Sequence, residues 1–277
     1  MVQVLERMLV MGPPGSGKTK QWLDIATILK PKNVNFYCID TDNAVNFMLA
    51  TQYKGLSKDE GGNVTVFPCF DWGDYVGRTD EKGAYVPGAL QKILKLVKRD
   101  DWIILDMADK PWDAVQRFYT DEIFGVDKGT YFLQARKILQ SKVKSGKKAS
   151  ALSEEAFKGW TDWVVINALY GDFIYRLLSC PVTNIYMTTK VQPLSSRENP
   201  ASRIAYGDYG IKPTGQKDLG HQVHTIMLFK VDVTTKKHPT WYITTVKDRS
   251  GREYFADVQL VSFYYQYFVA KAGWPIP

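Results

Sequence analysis

The strongest constraint on the fold of this chain is one short segment, Gly12-Pro13-Pro14-Gly15-Ser16-Gly17-Lys18-Thr19. It satisfies the pattern G-x-x-x-x-G-K-[S/T] and separates an apolar run, Met8–Met11, from a helical pattern, Lys18–Leu29. In such a unit the glycines let successive backbone N–H groups turn inward around a phosphate, and the helix N-terminus adds its positive dipole. The segment therefore predicts a nucleotide-binding loop in which Lys18 reaches the outer phosphates and the Thr19 hydroxyl ligates Mg²⁺.

Elsewhere in the chain, apolar runs bounded by Gly, Pro or charged residues alternate with helical patterns, which is typical of a mostly parallel sheet flanked by helices. The predicted strands are Met8–Met11, Asn35–Ile39, Val64–Phe67, Trp102–Leu105, Asn184–Thr188, Thr225–Val231 and Trp241–Val246, and the last two are expected to form an antiparallel hairpin. The predicted helices are Lys18–Leu29, Asn43–Ala50, Ala89–Lys98, Trp112–Phe124, Gly129–Gln140 and Glu154–Leu178. With 277 residues, we expect one α/β domain over 1–277 that carries a basic loop region at 125–150 and a long loop at 191–219.

A second motif follows the loop at a distance that suits the same site. Trp102-Ile103-Ile104-Leu105-Asp106 is an apolar strand that ends in a carboxylate, as in the Walker B pattern, so Asp106 is expected to hold the water shell of Mg²⁺ beside Thr19. A strand that ends in Asp can also simply cap the next helix. Met107 follows Asp106, so the Asp-Glu pair that supplies the catalytic base in AAA+ ATPases is absent, and the base must come from elsewhere.

Two further carboxylates end the second predicted strand. Asp40 and Asp42 are spaced i, i+2 and face the same side of an extended chain. Because the carboxyl ends of parallel strands meet the ligand in such sheets, Asp42 is a candidate to orient the attacking water as general base. The alternative is that both residues cap the following helix.

At this point the sequence resembles the RecA-like recombinase and helicase superfamily, a P-loop NTPase fold. The catalytic carboxylate of that superfamily follows an apolar strand in an Ile-Asp-x-Glu setting, and Ile39-Asp40-Thr41-Asp42 matches it with Asp in place of Glu. The order of elements is most similar to that of small RecA-like ATPases that phages encode beside single-strand annealing proteins. The resemblance implies that Asn184–Thr188 is followed by a sensor of the γ-phosphate, for which Lys190 and Gln192 are the candidates.

A further resemblance lies near the C-terminus, in Lys247-Asp248-Arg249. In DnaB-type hexameric helicases and KaiC-like ATPases, a Lys-x-Arg pair after a late strand reaches the nucleotide of the neighbouring subunit. By that match, Lys247 and Arg249 would contact the γ-phosphate in trans. A basic hairpin turn exposed to solvent is the alternative.

The charge balance points to a polyanionic partner. The chain has 36 Lys and Arg against 29 Asp and Glu, a net charge of +7. By the same resemblance, the segments 141–148 and 191–219 fall where RecA has its first and second DNA-binding loops. The residues expected to bind DNA are Lys142, Lys144, Lys147 and Lys148 in the first and Arg197, Arg203 and Tyr206 in the second. Basic residues interleaved with aromatic rings favour single-stranded DNA, although a solvated lysine loop is the common alternative for the first segment.

These observations predict a Mg²⁺-dependent, DNA-stimulated ATPase that works in recombination, repair or replication as a ring or a partner-dependent assembly. An annealing or replication protein is a possible partner. Two other functions share the phosphate loop: a small-molecule kinase with a helical lid, and a nucleotide-dependent scaffold with little turnover. Cys38, Cys69 and Cys180 are odd in number, which fits a reducing cytoplasm, that of the host if the chain is phage-encoded. No run approaches the roughly 20 apolar residues that a membrane span requires.

Overall fold

The fold is built on one large sheet in a computed structural model that describes residues 5–144, 159–234 and 239–277. Its strands run in the order β12-β11-β10-β1-β7-β6-β2-β3. They are β1 (Arg7–Met11), β2 (Phe36–Asp40), β3 (Val64–Pro68), β6 (Trp102–Asp106), β7 (Asn184–Thr189), β10 (Thr225–Asp232), β11 (Thr240–Asp248) and β12 (Val258–Gln259). Two small hairpins lie outside this sheet: β4 (Arg78–Thr79) with β5 (Tyr85–Val86), and β8 (Val191–Pro193) with β9 (Ile211–Pro213).

Strands β3, β2, β6, β7, β1 and β10 are parallel, whereas β11 and β12 run antiparallel at one edge. The α-helices are α1 (Lys18–Leu29), α2 (Ala44–Thr51), α3 (Trp72–Val76), α4 (Ala89–Leu96), α5 (Asp109–Phe124), α6 (Lys128–Lys144), α7 (Gly159–Leu178), α8 (Pro200–Tyr206) and α9 (Leu219–Gln222). Three short 3₁₀ turns and a π-helix over Tyr264–Val269 complete the elements of the described ranges.

Apolar side chains cover both faces of the sheet, which explains why the central strands read as continuous apolar runs. Along β1, Leu9 and Met11 belong to the core on one face, and Met8 and Val10 belong to the core on the other. Helices α4, α5 and α7 contribute to the first core, and α1 contributes to the second. The π-helix also packs into the second core, where Phe263, Tyr264, Tyr267 and Phe268 are buried.

This architecture confirms the predicted fold class, a mostly parallel α/β sheet flanked by helices with an antiparallel pair at its C-terminal edge. The predicted bounds of α1 are also those of the structure. That the chain is a single domain stays a prediction. Among the described residues, no helix is both long enough and apolar enough to span a bilayer.

Two expectations about loops were wrong. Within the basic region 125–150, residues 128–144 form α6, so Ser141 to Lys144 continue a helix rather than starting a loop. The segment 191–219 contains β8, α8, a 3₁₀ turn and β9 rather than one irregular loop. The strands β8 and β9 are too short to show a period in the sequence, and α8 becomes recognisable through its cap, because the Asn199 side chain accepts a hydrogen bond from Ser202 N.

Candidate nucleotide-binding site

The predicted phosphate loop connects β1 to α1, at the edge of the sheet where the parallel strands end. Gly12 must lack a side chain, because a Cβ there would lie 2.4 Å from the Phe229 carbonyl oxygen and 2.5 Å from Ser16 Oγ. Gly15 and Gly17 have φ values of +77° and +86°, which residues with a side chain rarely adopt. The glycine spacing in the sequence therefore corresponds to three backbone requirements of the folded loop.

Lys18 is 8% exposed, and its ammonium lies inside the loop. Nζ donates to the carbonyl oxygens of Gly12 at 2.8 Å and Pro13 at 3.0 Å. Burial lowers the pKa of Lys18, while the carboxylates of Asp106 and Asp109 act in the opposite direction. The loop therefore holds a cation at the place where the sequence motif binds phosphate oxygens.

Asp106 lies at the end of β6 and is 2% exposed. Its Oδ2 accepts hydrogen bonds from Thr19 Oγ1 at 2.8 Å and from Trp22 Nε1 at 3.1 Å, and its Oδ1 accepts one from the Thr188 hydroxyl. Burial raises the pKa of Asp106, and these three hydrogen bonds oppose that rise. The helix-cap alternative for Asp106 does not describe its contacts, since its carboxylate points to α1 and β7.

The oxygens of Thr19 and Asp106 fit a hard cation such as Mg²⁺, which prefers oxygen ligands and usually keeps several waters. Within the described ranges, no three His, Cys, Asp or Glu side chains form a metal-binding group. A Mg²⁺ ion would thus rely on one protein hydroxyl, the Asp106 carboxylate through water, and the phosphates of a nucleotide. That division of ligands is usual for Mg²⁺ in nucleotide sites.

Asp42 lies near this pair of oxygens, close enough for its charge to add to the rise that burial causes in the pKa of Asp106. Backbone contacts join the ends of β2 and β6: Thr41 N donates to the Asp106 carbonyl oxygen at 2.8 Å, and Met107 N donates to Thr41 Oγ1 at 2.9 Å. Asp42 follows and is exposed, and its Oδ1 accepts a hydrogen bond from Ala44 N at 3.2 Å. One carboxylate oxygen therefore supports the start of α2, as the capping alternative expects, while the side chain remains open to solvent at the nucleotide edge.

Asp40 differs from Asp42 in being fully buried. Its Oδ1 accepts a hydrogen bond from Asp42 N at 3.4 Å, and no hydrogen-bond partner of Oδ2 is found in the described part of the chain. Burial raises the pKa of Asp40 to about 6, and the nearby carboxylates of Asp106 and Asp42 add to the rise. Asp40 is thus buried at the end of β2, whereas the carboxylate of Asp42 faces solvent.

The two sensor candidates differ in their surroundings. Lys190 is exposed directly after β7, and its charge affects the pKa of both Lys18 and Asp109, which places it near the phosphate loop. Gln192 lies in β8 and donates through Nε2 to the Pro213 carbonyl oxygen at 3.2 Å, so it serves the small hairpin. The surroundings favour Lys190 for contact with a phosphate.

Lys247 and Arg249 lie at the end of the sheet where the parallel strands begin, because the end of β11 pairs with the start of β10. The phosphate loop lies at the other end, where the parallel strands finish. Lys247 Nζ donates to the carbonyl oxygens of Gly220 at 2.7 Å and Val223 at 2.8 Å, and Arg249 Nη2 donates to that of His221 at 2.7 Å. Burial lowers the pKa of Lys247 to about 8. Both cations therefore bind the end of α9 in the single chain, and neither lies at this chain's own phosphate loop.

The residues expected to bind DNA differ in their surroundings. Lys142 and Lys144 belong to α6, and Lys147 and Lys148 lie outside the described residues. Arg197 and Arg203 are exposed, whereas Tyr206 packs against the first core and is only half-exposed. Stacking a base on Tyr206 is therefore less well supported than a phosphate contact from either arginine.

Several residues of the site were missed in the sequence. Trp22, Thr41 and Thr188 surround Asp106, and Trp241 Nε1 donates to the Gly15 carbonyl oxygen at 3.0 Å. Thr188 could have been found, since it is the last residue of the predicted strand Asn184–Thr188, directly before the sensor candidates. Nothing in the sequence marks Trp241, which is separated from Gly15 by 226 residues.

No protein-family model matches the chain, and no curated protein is similar to it. Among solved structures, the chain is similar to a RadB recombinase, with 12% identity, a TM-score of 0.45, and coverage of 88% of this chain and 83% of that chain. It is also similar to a KaiC-like protein from the hyperthermophilic archaeon Pyrococcus horikoshii OT3, with 11% identity, a TM-score of 0.42, and coverage of 92% of this chain and 83% of that chain.

Proposed function

We propose that this chain is a Mg²⁺-dependent ATPase that acts on single-stranded DNA in recombination, repair or replication. The observation that carries the nucleotide part is the 2.8 Å hydrogen bond between Thr19 and Asp106, which brings the two sequence motifs together beside the Lys18 ammonium. In RecA-like NTPases these are the groups that hold the metal and the outer phosphates. A bound Mg²⁺ supplies neutralisation of the phosphate charge that grows during hydrolysis.

Side chains at the same ends of the parallel strands bind the phosphates and activate the attacking water. Lys18 and the amides of the loop bind the β- and γ-phosphates, and Lys190 approaches the γ-phosphate from β7. Asp42 orients the attacking water as general base, because it is an exposed carboxylate beside the Thr19 and Asp106 oxygens. This role uses Oδ2, since Oδ1 accepts the hydrogen bond from Ala44 N at the start of α2.

The second nucleotide contact comes from another copy of the chain. Lys247 and Arg249 lie at the opposite end of the sheet from the phosphate loop, so a head-to-tail assembly is the arrangement that brings them to a nucleotide. A cation that meets the growing charge only in the transition state accelerates phosphoryl transfer by about 10³–10⁵. To act in this way, both side chains must leave the carbonyl oxygens at the end of α9.

DNA binding rests on charge. Arg197 and Arg203 are exposed in the segment that follows β7, and Lys142 and Lys144 end α6. The segment that carries Arg197 and Arg203 begins at Lys190. A movement of Lys190 towards or away from the γ-phosphate would therefore shift the segment that contacts DNA. We take the ligand to be single-stranded DNA, held mainly through its phosphates.

A small-molecule kinase fits the arrangement less well. Such an enzyme needs a mobile helical lid over the phosphates, and the region after Asp106 is long enough to supply one. Instead, α5 and α7 contribute Val115, Tyr119 and Phe173 to the core that packs against the sheet. Helices anchored in this way form a layer of the fold and are not free to close over a nucleotide.

The test is phosphate release from ATP with and without single-stranded DNA, on protein of measured oligomeric state. We expect Mg²⁺-dependent turnover that rises when DNA is added. Phosphate transfer to a nucleoside or sugar, with no response to DNA, would support the kinase. ATP binding without turnover under any of these conditions would support the scaffold.

A further inference from the structure

Trp241 is a half-buried residue near the start of β11 whose side chain reaches the phosphate loop. Its indole Nε1 donates a hydrogen bond of 3.0 Å to the carbonyl oxygen of Gly15. Cδ1 and Nε1 also lie 3.7 and 3.8 Å from the position that a Cβ on Gly17 would occupy. The ring thus hydrogen-bonds to the loop at Gly15 and faces the open side of Gly17, and both glycines have positive φ.

The hydrogen bond fixes the orientation of one peptide unit. A trans peptide is planar, so its C=O and N–H point in opposite directions. When the indole holds the Gly15 carbonyl oxygen on the outside of the loop, the N–H of Ser16 is turned to the inside. That N–H donates a hydrogen bond of 3.3 Å to the Pro13 carbonyl oxygen, an acceptor that an incoming phosphate oxygen would replace.

The ring also restricts the loop at its other end. Gly17 is the N-cap of α1 and makes no side-chain capping contact of its own. The Trp241 ring covers the open side of this residue, since a Cβ added to Gly17 would be in van der Waals contact with the ring. Because the backbone of Trp241 is held by β10 and by Leu260 N, which donates to the Trp241 carbonyl oxygen at 2.7 Å, the ring is an anchored contact.

We propose that Trp241 is a positioning residue for the polyphosphate of a nucleoside di- or triphosphate, acting through the orientation of the Gly15–Ser16 peptide. The proposal rests on the proposed function, in that it requires a nucleotide at residues 12–19. Preorganisation of a binding loop lowers the ordering cost that the ligand must otherwise meet. Trp241 therefore contributes to affinity although it touches the loop rather than the phosphates.

The experiment compares the affinity of Mg²⁺·ADP for wild type and for Trp241→Phe by calorimetry, with urea unfolding of both proteins in parallel. Phe keeps a ring beside Gly17 and removes the N–H donor. Since one hydrogen bond contributes about 1 kcal/mol net, we expect binding to weaken about fivefold. The urea midpoint should stay unchanged, and Trp241→His, which keeps a ring N–H, should recover part of the affinity. Trp163→Phe is the matched control, because Trp163 is a partly exposed tryptophan of α7.

Three outcomes would overturn the proposal. Equal ADP affinity in wild type and Trp241→Phe would remove the role of the N–H. A lower urea midpoint with normal affinity of the folded fraction would make Trp241 a stabilising residue only. A wild-type protein that binds no nucleotide would remove the proposed function and this inference together, and that result differs visibly from the first two.

Discussion

The hydroxyl of Thr19 donates to Oδ2 of Asp106 across 2.8 Å, although the two residues are 87 positions apart in the chain. The contact joins the first turn of α1 to the end of β6, and both side chains offer oxygen to a cation. It is the point at which the two sequence motifs become one site.

Replacing Asp106 with Asn should weaken the response of turnover to Mg²⁺. Asn keeps the size of the side chain and one acceptor oxygen but loses the charge that orients the water shell of the ion. Groups that hold a metal through its ligands typically contribute about 10–100-fold in metal affinity or activity, and we expect a loss of that size. The measurement is the Mg²⁺ concentration for half-maximal ATPase activity. Asp172→Asn, at an exposed carboxylate of α7, is the control, and an unchanged Mg²⁺ midpoint in Asp106→Asn would contradict the assignment.

Replacing Asp42 with Asn should lower turnover by about 10²–10⁴ while ATP still binds, because general base catalysis has that typical size. Asp42→Glu keeps the carboxylate and should keep most of the turnover. Single-turnover hydrolysis with saturating enzyme separates the chemical step from binding. Asp59→Asn, at an exposed carboxylate beyond α2, controls for loss of charge. Turnover at the wild-type level in Asp42→Asn would show that the base is another group.

Mixing Arg249→Ala protein with Lys18→Ala protein should restore part of the activity that each lacks alone. In a mixed assembly, some sites combine an intact phosphate loop with an intact Arg249 from the neighbouring subunit. ATPase activity as a function of the mixing ratio gives the measurement. The control mixes Lys18→Ala with the double variant Lys18→Ala/Arg249→Ala, which offers no intact loop. If the first mixture is as inactive as the control at every ratio, Arg249 does not act in trans.

Replacing Arg197 and Arg203 with Ala should reduce the salt dependence of single-stranded DNA binding. Each phosphate that an arginine neutralises on a single strand adds about 0.7 to the slope of log K against log salt, so the variant should show a shallower slope. Fluorescence anisotropy with a labelled oligonucleotide at several salt concentrations measures it. Arg176→Ala is the control, since Arg176 is an exposed arginine of α7 that pairs with Asp172 at 3.1 Å. A wild-type affinity that does not respond to salt would remove the DNA assignment.

Asp40→Asn should change how the free energy of unfolding depends on pH. The pKa of Asp40 is raised from 3.8 to about 6 in the folded chain. In the wild type, the unfolded chain therefore loses this proton first, and stability from this group is present below about pH 4 and is lost as pH rises through about 6. Asn has no such loss, so the stability of the variant relative to wild type should rise between about pH 4 and 7, by up to about 3 kcal/mol. Urea unfolding across this range measures the trend, and a constant difference would contradict it.

Much of the fold was predictable because its signals are local. Strand β6 reads as an apolar run because both of its faces are buried, and α1 begins directly after the last glycine of the motif. The hairpin β8–β9 and helix α8 were missed because such short elements carry no period. Ser141 to Lys144 were assigned to a loop from their charge, although lysine is a good helix former and α6 continues through them.

The candidate site was predictable only where the chemistry has a motif. The spacing from Gly12 to Thr19 specifies the loop, and the Asp at the end of an apolar strand specifies Asp106. The contacts of Trp22, Thr188 and Trp241 depend on how distant elements pack together. A single sequence holds no local trace of such contacts, because any residue of similar size would have given the same pattern.

Strand β11 gives the proposed assembly a direction. Trp241 stands near the start of this strand beside the chain's own phosphate loop, and Lys247 stands at the far end, about 20 Å away at about 3.4 Å per residue. In a head-to-tail ring, each β11 would therefore run from one nucleotide to the next, and it would connect every site to a single neighbour. Such a connection is not symmetric, because the start of β11 would meet the chain's own nucleotide through Trp241 and the phosphate loop, and its end would meet the neighbour's nucleotide through Lys247.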